Sequence, residues 1–141
     1  VLVGPEDEGF RGSPLHGIPN VHFLGHKPLD LLSAYVKHFD VCINPQWNNK
    51  ITHGNYPLKI DEYLAMGRPT VATRTYAMKI FEDHVYLADS PEEYEVLVKK
   101  ALAEDSPFKV EERIRFARTH SWDNCVAEIY RAVNAFEQQT T

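Results

Sequence analysis

The chain is poor in the features that would place it in several large classes of protein. Two cysteines among 141 residues, Cys42 and Cys125, cannot build a disulfide framework, and both are expected to be buried thiols in a reducing compartment. No apolar run is long enough to cross a bilayer, which adds to the expectation of a cytoplasmic protein. Cations are scarce: fifteen Lys and Arg face twenty Asp and Glu, and Lys99-Lys100 is the only adjacent basic pair. Proteins that grip nucleic-acid backbones need clustered Lys and Arg, so nucleic acid is excluded as a partner. Metal-ligand patterns are also thin. His22 and His26 stand four residues apart, a spacing that suits a helix, but a strand running into a loop puts the two rings on unrelated sides. No metal is expected, and no internal repeat or low-complexity segment is present.

What is there suits an ordinary globular protein. Hydrophobic residues make up 43% of the chain, and a single domain of this size buries roughly 68–70% of the surface its unfolded form exposes. The chain opens directly into a strand pattern at Val1-Leu2-Val3-Gly4, without Met, and is expected to be one domain, 1–141, cut from a longer protein. Strands are expected at 1–4, 21–25, 39–45, 70–73 and 85–88. Helices are expected at 29–38, 57–67, 91–104, 110–119 and from 122 onward, each on an apolar stripe of helical period. Residues 9–20, rich in Gly and Pro, are expected to be irregular, and 138–141 to fray. Ser90-Pro91-Glu92-Glu93 makes a strong helix start: a capping residue, then Pro at the first helical position, then acids in the first turn. Strands alternating with helices imply right-handed crossovers, hence an α/β, Rossmann-like doubly wound parallel sheet of about five strands with helices on both faces.

The stretch 53–73 organises the rest. Pro57 suits a first helical position, Ile60, Tyr63 and Leu64 share one side, Gly67 supplies a left-handed stop, and Thr70-Val71-Ala72-Thr73 reads as a buried strand. Lys59 and Glu62 lie on another side of the same helix. A helix N-terminus favours phosphate, and Lys59 in the first turn adds to that field; Glu62 would repel phosphate and is better used on hydroxyls such as those of a ribose. The residue types alone allow a plain alternative, a solvated i, i+3 pair worth a few tenths of a kcal/mol. The loop 46–55 before this helix is the chain's richest in adaptable polar groups. In a doubly wound sheet, ligands sit outside the carboxyl ends of the strands, where such loops gather.

The run Pro57-Leu58-Lys59-Ile60-Asp61-Glu62-Tyr63-Leu64-Ala65-Met66-Gly67-Arg68-Pro69 resembles the P-x-K-x-x-E-Y-x-A-x-G-x-P signature in the C-terminal half of GT-B glycosyltransferases, group 1 or family 4-like. Val1 to Pro5 resembles the L-V-G-P strand end of that half, Val21 to Gly25 its V-x-F-L-G strand, and Ser121-Trp122 the S-W opening of its last helix. The resemblance implies a domain that binds a UDP- or GDP-sugar, with Glu62 on the donor ribose. It implies Lys59, Asn55, Tyr56 and Thr75 at the diphosphate, Gly25, His26 and Lys27 in the base-binding loop, and Trp47, His53 and Gly54 in the donor-sugar loop. Trp47 is weighed as a sugar platform against plain packing, with packing favoured. Many members carry a second Glu where Gly54 stands, which leaves the donor sugar open.

The family's half has one more strand and helix before the point where this chain starts. Neighbouring strands could close that gap, another chain could fill it, or the parent protein could supply it. By resemblance the parent protein transfers a sugar without a metal or cofactor, retaining anomeric configuration, to a sugar, lipid or polysaccharide acceptor. Its own N-terminal domain would be the acceptor-binding partner, and the protein would be free in the cytoplasm or peripheral at the inner membrane. The fragment by itself would be inactive. The alternative is a non-catalytic nucleotide-sugar sensor or scaffold of the same fold. A phosphoreceiver domain fits poorly, because Asn44-Pro45, and no carboxylate, stands at the exit of the third expected strand.

Overall fold

In the computed structural model, which describes residues 1–139, contacts divide the chain into two units, Val1–Tyr35 and Val36–Thr141. In the first unit, the Asp7 carboxylate accepts the Phe10 amide at 2.7 Å and opens a one-turn helix, α1 (Glu8–Arg11). Ser13 caps a 3-10 turn at Pro14–Gly17 in the same way. The stretch expected to be irregular therefore holds two short turns, because side-chain caps satisfy the amides that Gly-rich propensity would leave loose.

Leu2 and Phe23 form an isolated parallel bridge, with Leu2 N donating to His22 O and Leu24 N to Leu2 O. Residues 1–4 and 21–25 were expected to be full strands of the sheet; this is corrected to one bridge. Parallel strands are normally covered on both faces, and no residue of this unit is buried; Gly4 N donates to Gly25 O at 3.1 Å beyond the bridge, but no ladder forms. Helix α2 (Leu29–Lys37) follows. Its expected core face is half-exposed at Leu32, Tyr35 and Val36 and exposed at Leu31.

The second unit carries the sheet, which among the described residues has three strands in place of the expected five: β1 (Cys42–Asn44), β2 (Thr70–Thr73) and β3 (Tyr86–Ala88), all parallel and in that order. Neighbours on β2 point to opposite faces, yet Val71 and Ala72 are both fully buried, so this central strand is covered on both sides. Helix α3 (Leu58–Ala65) links β1 to β2 and sends Ile60 and Leu64 into a core with Ala72, Met78, Phe81, Val85, Leu87 and Ala117. Gly67 follows at φ +70° and stops it, as expected. Helix α4 (Pro91–Ala103) starts on the Ser90 cap and packs on β2 and β3. Its Tyr94 hydroxyl donates to Val71 O at 2.7 Å and accepts from Asn44 N, which ties α4 to two strands. Leu102, expected to be buried, is exposed.

Helix α5 (Pro107–Thr119) begins three residues before the expected start, on a Ser106 cap with Pro107 in the first turn, and packs against α3. Its Arg113, buried, donates from Nε to Gly67 O and pairs with Asp105, so a cation sits at the carboxyl end of α3, where the helix dipole favours one. Helix α6 (Trp122–Gln139) has the expected Ser121 cap. Its stripe of Trp122, Cys125, Val126, Ile129, Tyr130, Val133 and Phe136 was expected to be core and is exposed throughout, Trp122 by 80%. Cys125 is accordingly an exposed thiol, whereas Cys42 is buried as expected. Gln138 and Gln139, expected to fray, are helical at the end of α6; Thr140 and Thr141, covered by the same expectation, lie outside the described residues.

Candidate functional site

Because β1, β2 and β3 run parallel, the loops that leave their carboxyl ends gather at one end of the sheet. Three such loops are tied together there. Gln46 N, after β1, donates to the Thr73 hydroxyl at the end of β2, and Asn48 Nδ2 donates to Arg74 O. Arg74 in turn grips both oxygens of Asp89, just past β3, at 3.1 Å and donates to Leu87 O. Asp89 N reaches the Glu93 carboxylate of α4 at 2.7 Å.

Two clefts open at this end. One, of 360 Å³, is lined by His53, Thr75, Tyr76, Lys79 and Glu82 together with Asn48, Arg74, Leu87 and Asp89. Thr75 is only 5% exposed and its hydroxyl has no hydrogen-bond partner, a buried polar atom of the kind that usually has one. His53 stacks on Tyr76 at 5.3 Å, and its carbonyl accepts from Ala77 N. The other cleft, of 560 Å³, is lined by Pro45, Gln46, Trp47, Asn48, Thr73, Ala88, Asp89, Ser90, Pro91 and Tyr94. Trp47 is 86% exposed, which overturns the expectation that it packs.

The loop then runs into α3. No side chain caps that helix, and Leu58 N and Ile60 N turn back onto the carbonyls of Tyr56 and Pro57. Pro57 sits one position outside the helix, and fewer amides are left for an anion than an ideal N-terminus offers. Lys59 and Glu62 are exposed, and neither makes an ion pair or side-chain hydrogen bond among the described residues, so the plain pairing of the two does not form. Asp61 behaves differently. It accepts the Tyr56 hydroxyl at 2.6 Å and meets His120 Nδ1 at 2.9 Å. Burial, then the hydrogen bond to Asp61 and its charge, push the Tyr56 hydroxyl well above the ordinary phenol range. Tyr56 is therefore a committed donor to Asp61, its ring tilted over Phe81.

Of the residues singled out in the sequence, the structure brings Thr75 and His53 into one cleft and puts Trp47 in the other, with Asn48 and Asp89 shared between them. Asn55 and Tyr56 precede α3, Lys59 lies in its first turn and Glu62 in its second, and none of the four lines either of these two clefts. Gly54 and Asn55 are exposed on the approach to it. Gly25, at φ +65°, His26 and Lys27 belong to the first unit, where Lys27 Nζ lies 6.0 Å from the Tyr35 ring and His26 is exposed. Arg74, Asp89, Gln46 and Asn48 were not singled out, although each stands within a few residues of a strand's carboxyl end, the signal that would have found them. Among the described residues no group of His, Cys, Asp and Glu is arranged to hold a metal ion, and no helix is long and apolar enough to cross a membrane.

The family profile of glycosyl transferases group 1 matches residues 1–105, and the chain belongs to that family. It is also similar to the protein described as "Putative teichuronic acid biosynthesis glycosyltransferase TuaH" of Bacillus subtilis (strain 168), at 31% identity over 134 residues. That alignment covers 88% of this chain and 33% of TuaH, so the chain spans about a third of its relative's length.

Proposed function

We propose that this chain is the donor-binding half of an enzyme that moves a sugar from a nucleotide diphosphate, such as UDP or GDP, to a sugar, lipid or polysaccharide acceptor. The observation that carries the reading is the state of Glu62. Of two adjacent acids on α3, Asp61 is engaged by Tyr56 and His120, while Glu62 is exposed and unpaired at the position where the family signature has its Glu. In this reading Glu62 accepts hydrogen bonds from the ribose hydroxyls. Lys59, the backbone at Asn55 and Tyr56, and the unpartnered Thr75 hydroxyl meet the diphosphate, with His53 and Gly54 toward the donor sugar.

The bond from the anomeric carbon to the phosphate oxygen breaks, and its electron pair leaves with the diphosphate. The acceptor hydroxyl oxygen bonds to that carbon, and its proton departs with the diphosphate. Charge growing on the leaving group is what preorganised donors stabilise best, and Lys59 supplies it here without a metal. Retention of anomeric configuration belongs to the same reading, as do a separate acceptor-binding domain and a place in the cytoplasm or at the inner face of the membrane. The similarity to TuaH, described as a putative teichuronic acid biosynthesis glycosyltransferase, supports a polysaccharide acceptor. The isolated 141 residues are expected to be inactive.

The test is turnover of UDP- and GDP-sugars by the full-length protein, wild type against Glu62→Ala. Losing hydrogen bonds to a charged group should lower kcat/KM about 10- to 100-fold, with circular dichroism unchanged. Equal turnover in the two proteins would remove Glu62 from the donor site. Absence of nucleotide binding by the wild type in calorimetry would favour a scaffold of the same fold.

A further inference from the structure

The larger cleft has a chemistry that the donor reading leaves unused. We propose that it is a saccharide subsite for the acceptor, with Trp47 as the platform on which the acceptor ring lies. The proposal rests on the transferase reading above: the separate domain holds the body of the acceptor, and this cleft takes the acceptor ring next to the point of transfer.

The cleft meets the carboxyl ends of all three strands, through Pro45 after β1, Thr73 on β2 and Ala88 on β3. Trp47, at 86% exposure, is a large indole held in water beside it. Its backbone is fixed from below. The Trp47 carbonyl accepts from the Thr52 hydroxyl, and the Asn49 carboxamide oxygen accepts the amides of Ile51, at 2.8 Å, and Thr52, at 3.1 Å. These bonds close the loop into a turn that presents the ring, since Asn side chains mimic a backbone turn in this way.

A pyranose has one face of C–H groups and a rim of hydroxyls, so its natural receptor is an aromatic face bordered by amides and hydroxyls. Here Trp47, Pro45 and Pro91 give the apolar part. Among the described residues Gln46 makes no side-chain hydrogen bond, and Asn48 spends only its Nδ2, on Arg74 O, which leaves its oxygen to accept. Ser90 accepts from Glu93 N and keeps its hydrogen to donate.

Charge separates the two clefts. The one charged side chain lining the larger cleft is Asp89, already neutralised by Arg74, and no cation there would hold a phosphate. Its smaller neighbour contains Lys79, Arg74 and His53. Asn48 and Asp89 line both, so rings held on either side of them are adjacent, as transfer between them requires.

The test is saturation-transfer NMR on the full-length protein with the methyl glycosides of glucose, galactose, N-acetylglucosamine and glucuronic acid. Wild-type protein should saturate ring C–H protons of at least one of them. Loss of the aromatic contact in Trp47→Ala should cut that signal about tenfold, Trp47→Phe should restore most of it, and UDP or GDP affinity should stay within about twofold. Saturating UDP-glucose should leave the glycoside signal in place. Displacement of the glycoside by UDP-glucose would mean that the ring belongs to the donor, and would overturn the proposal. So would equal signals in wild type and Trp47→Ala, or none with any glycoside. A blue shift of tryptophan fluorescence on phosphatidylglycerol vesicles that is lost in Trp47→Ala, without any saccharide effect, would assign the loop to a membrane surface and overturn the proposal. Failure of the wild type to bind UDP or GDP would defeat the donor reading and this one with it; normal nucleotide binding with no effect of Trp47 would defeat this one alone.

Discussion

Asp61 and Glu62 are chemically near-identical neighbours with opposite fates, and position on α3 decides between them. Asp61 points toward Tyr56 and the His120 ring, while Glu62 projects into water. Helical spacing alone placed Glu62 and Lys59 away from the core face, and that much was legible in the residues. Which acid would be engaged was not, because Tyr56 and His120 come from the loop before α3 and the far end of α5. The two cysteines teach the same lesson. Cys42 lies in a strand buried at the core, and burial pushes its thiol up to about 12, with Arg68 pulling weakly the other way. Cys125 falls on an apolar helix stripe that reads as core, but that stripe is exposed in the structure. Iodoacetamide at pH 8 should therefore label one thiol per folded chain, at Cys125, and reach Cys42 only after denaturation. Peptide mass mapping reads the outcome, and equal labelling of both in the native protein would contradict the burial of Cys42.

At the scale of elements, the α3–Gly67–β2 segment was the most legible, because local chemistry and tertiary packing agree there. Gly67 must be left-handed, and a Cβ at that position would stand 2.7 Å from Val110 Cγ1 on α5. Gly67→Ala should destabilise the fold by about 2–4 kcal/mol, the sum of left-handed strain and overpacking, as measured by urea denaturation. A change below about 0.5 kcal/mol would mean that α5 yields freely at this contact. The start of α5 was missed although Ser106-Pro107 repeats the cap-then-Pro pattern of Ser90-Pro91. Without acids in its first turn and with exposed Phe108 in place of a core residue, that start lacked the apolar rhythm that marked α4. Stripes were read correctly as periods and wrongly as burial on α2 and α6. Period is a property of the segment, whereas burial needs a partner that only the assembled structure supplies.

For the whole molecule, fold class was legible and strand number was not. Alternation of strands and helices gives a parallel α/β sheet directly, but residues 1–4 and 21–25 have strand-like composition without the cover that parallel pairing needs. The assembled core also sets a pH response. Burial is the first cause that raises Cys42 from 9.0, and Tyr63 and Tyr94 from 10.0, to about 12 in each case. Each group is neutral when protonated, so the folded chain keeps these protons to higher pH than the unfolded chain does. Below about pH 9 both states hold them and stability is flat; between about 9 and 12 only the unfolded state releases them, so stability falls as pH rises. Thermal unfolding followed from pH 7 to 11 should show that decline, and Tyr94→Phe should make it shallower, at the cost of the two hydrogen bonds its hydroxyl makes with Val71 and Asn44. A flat profile to pH 11 would contradict the burial assigned to these groups.

The loops that leave the strands, at 45–57, 74–75 and 89–90, contribute none of the side chains that make up the hydrophobic cluster. Descendants of this sequence could thus rewrite the rim one residue at a time, trading one sugar for another, while the chassis beneath keeps its shape. Drift in specificity would cost such a lineage little of its foldedness.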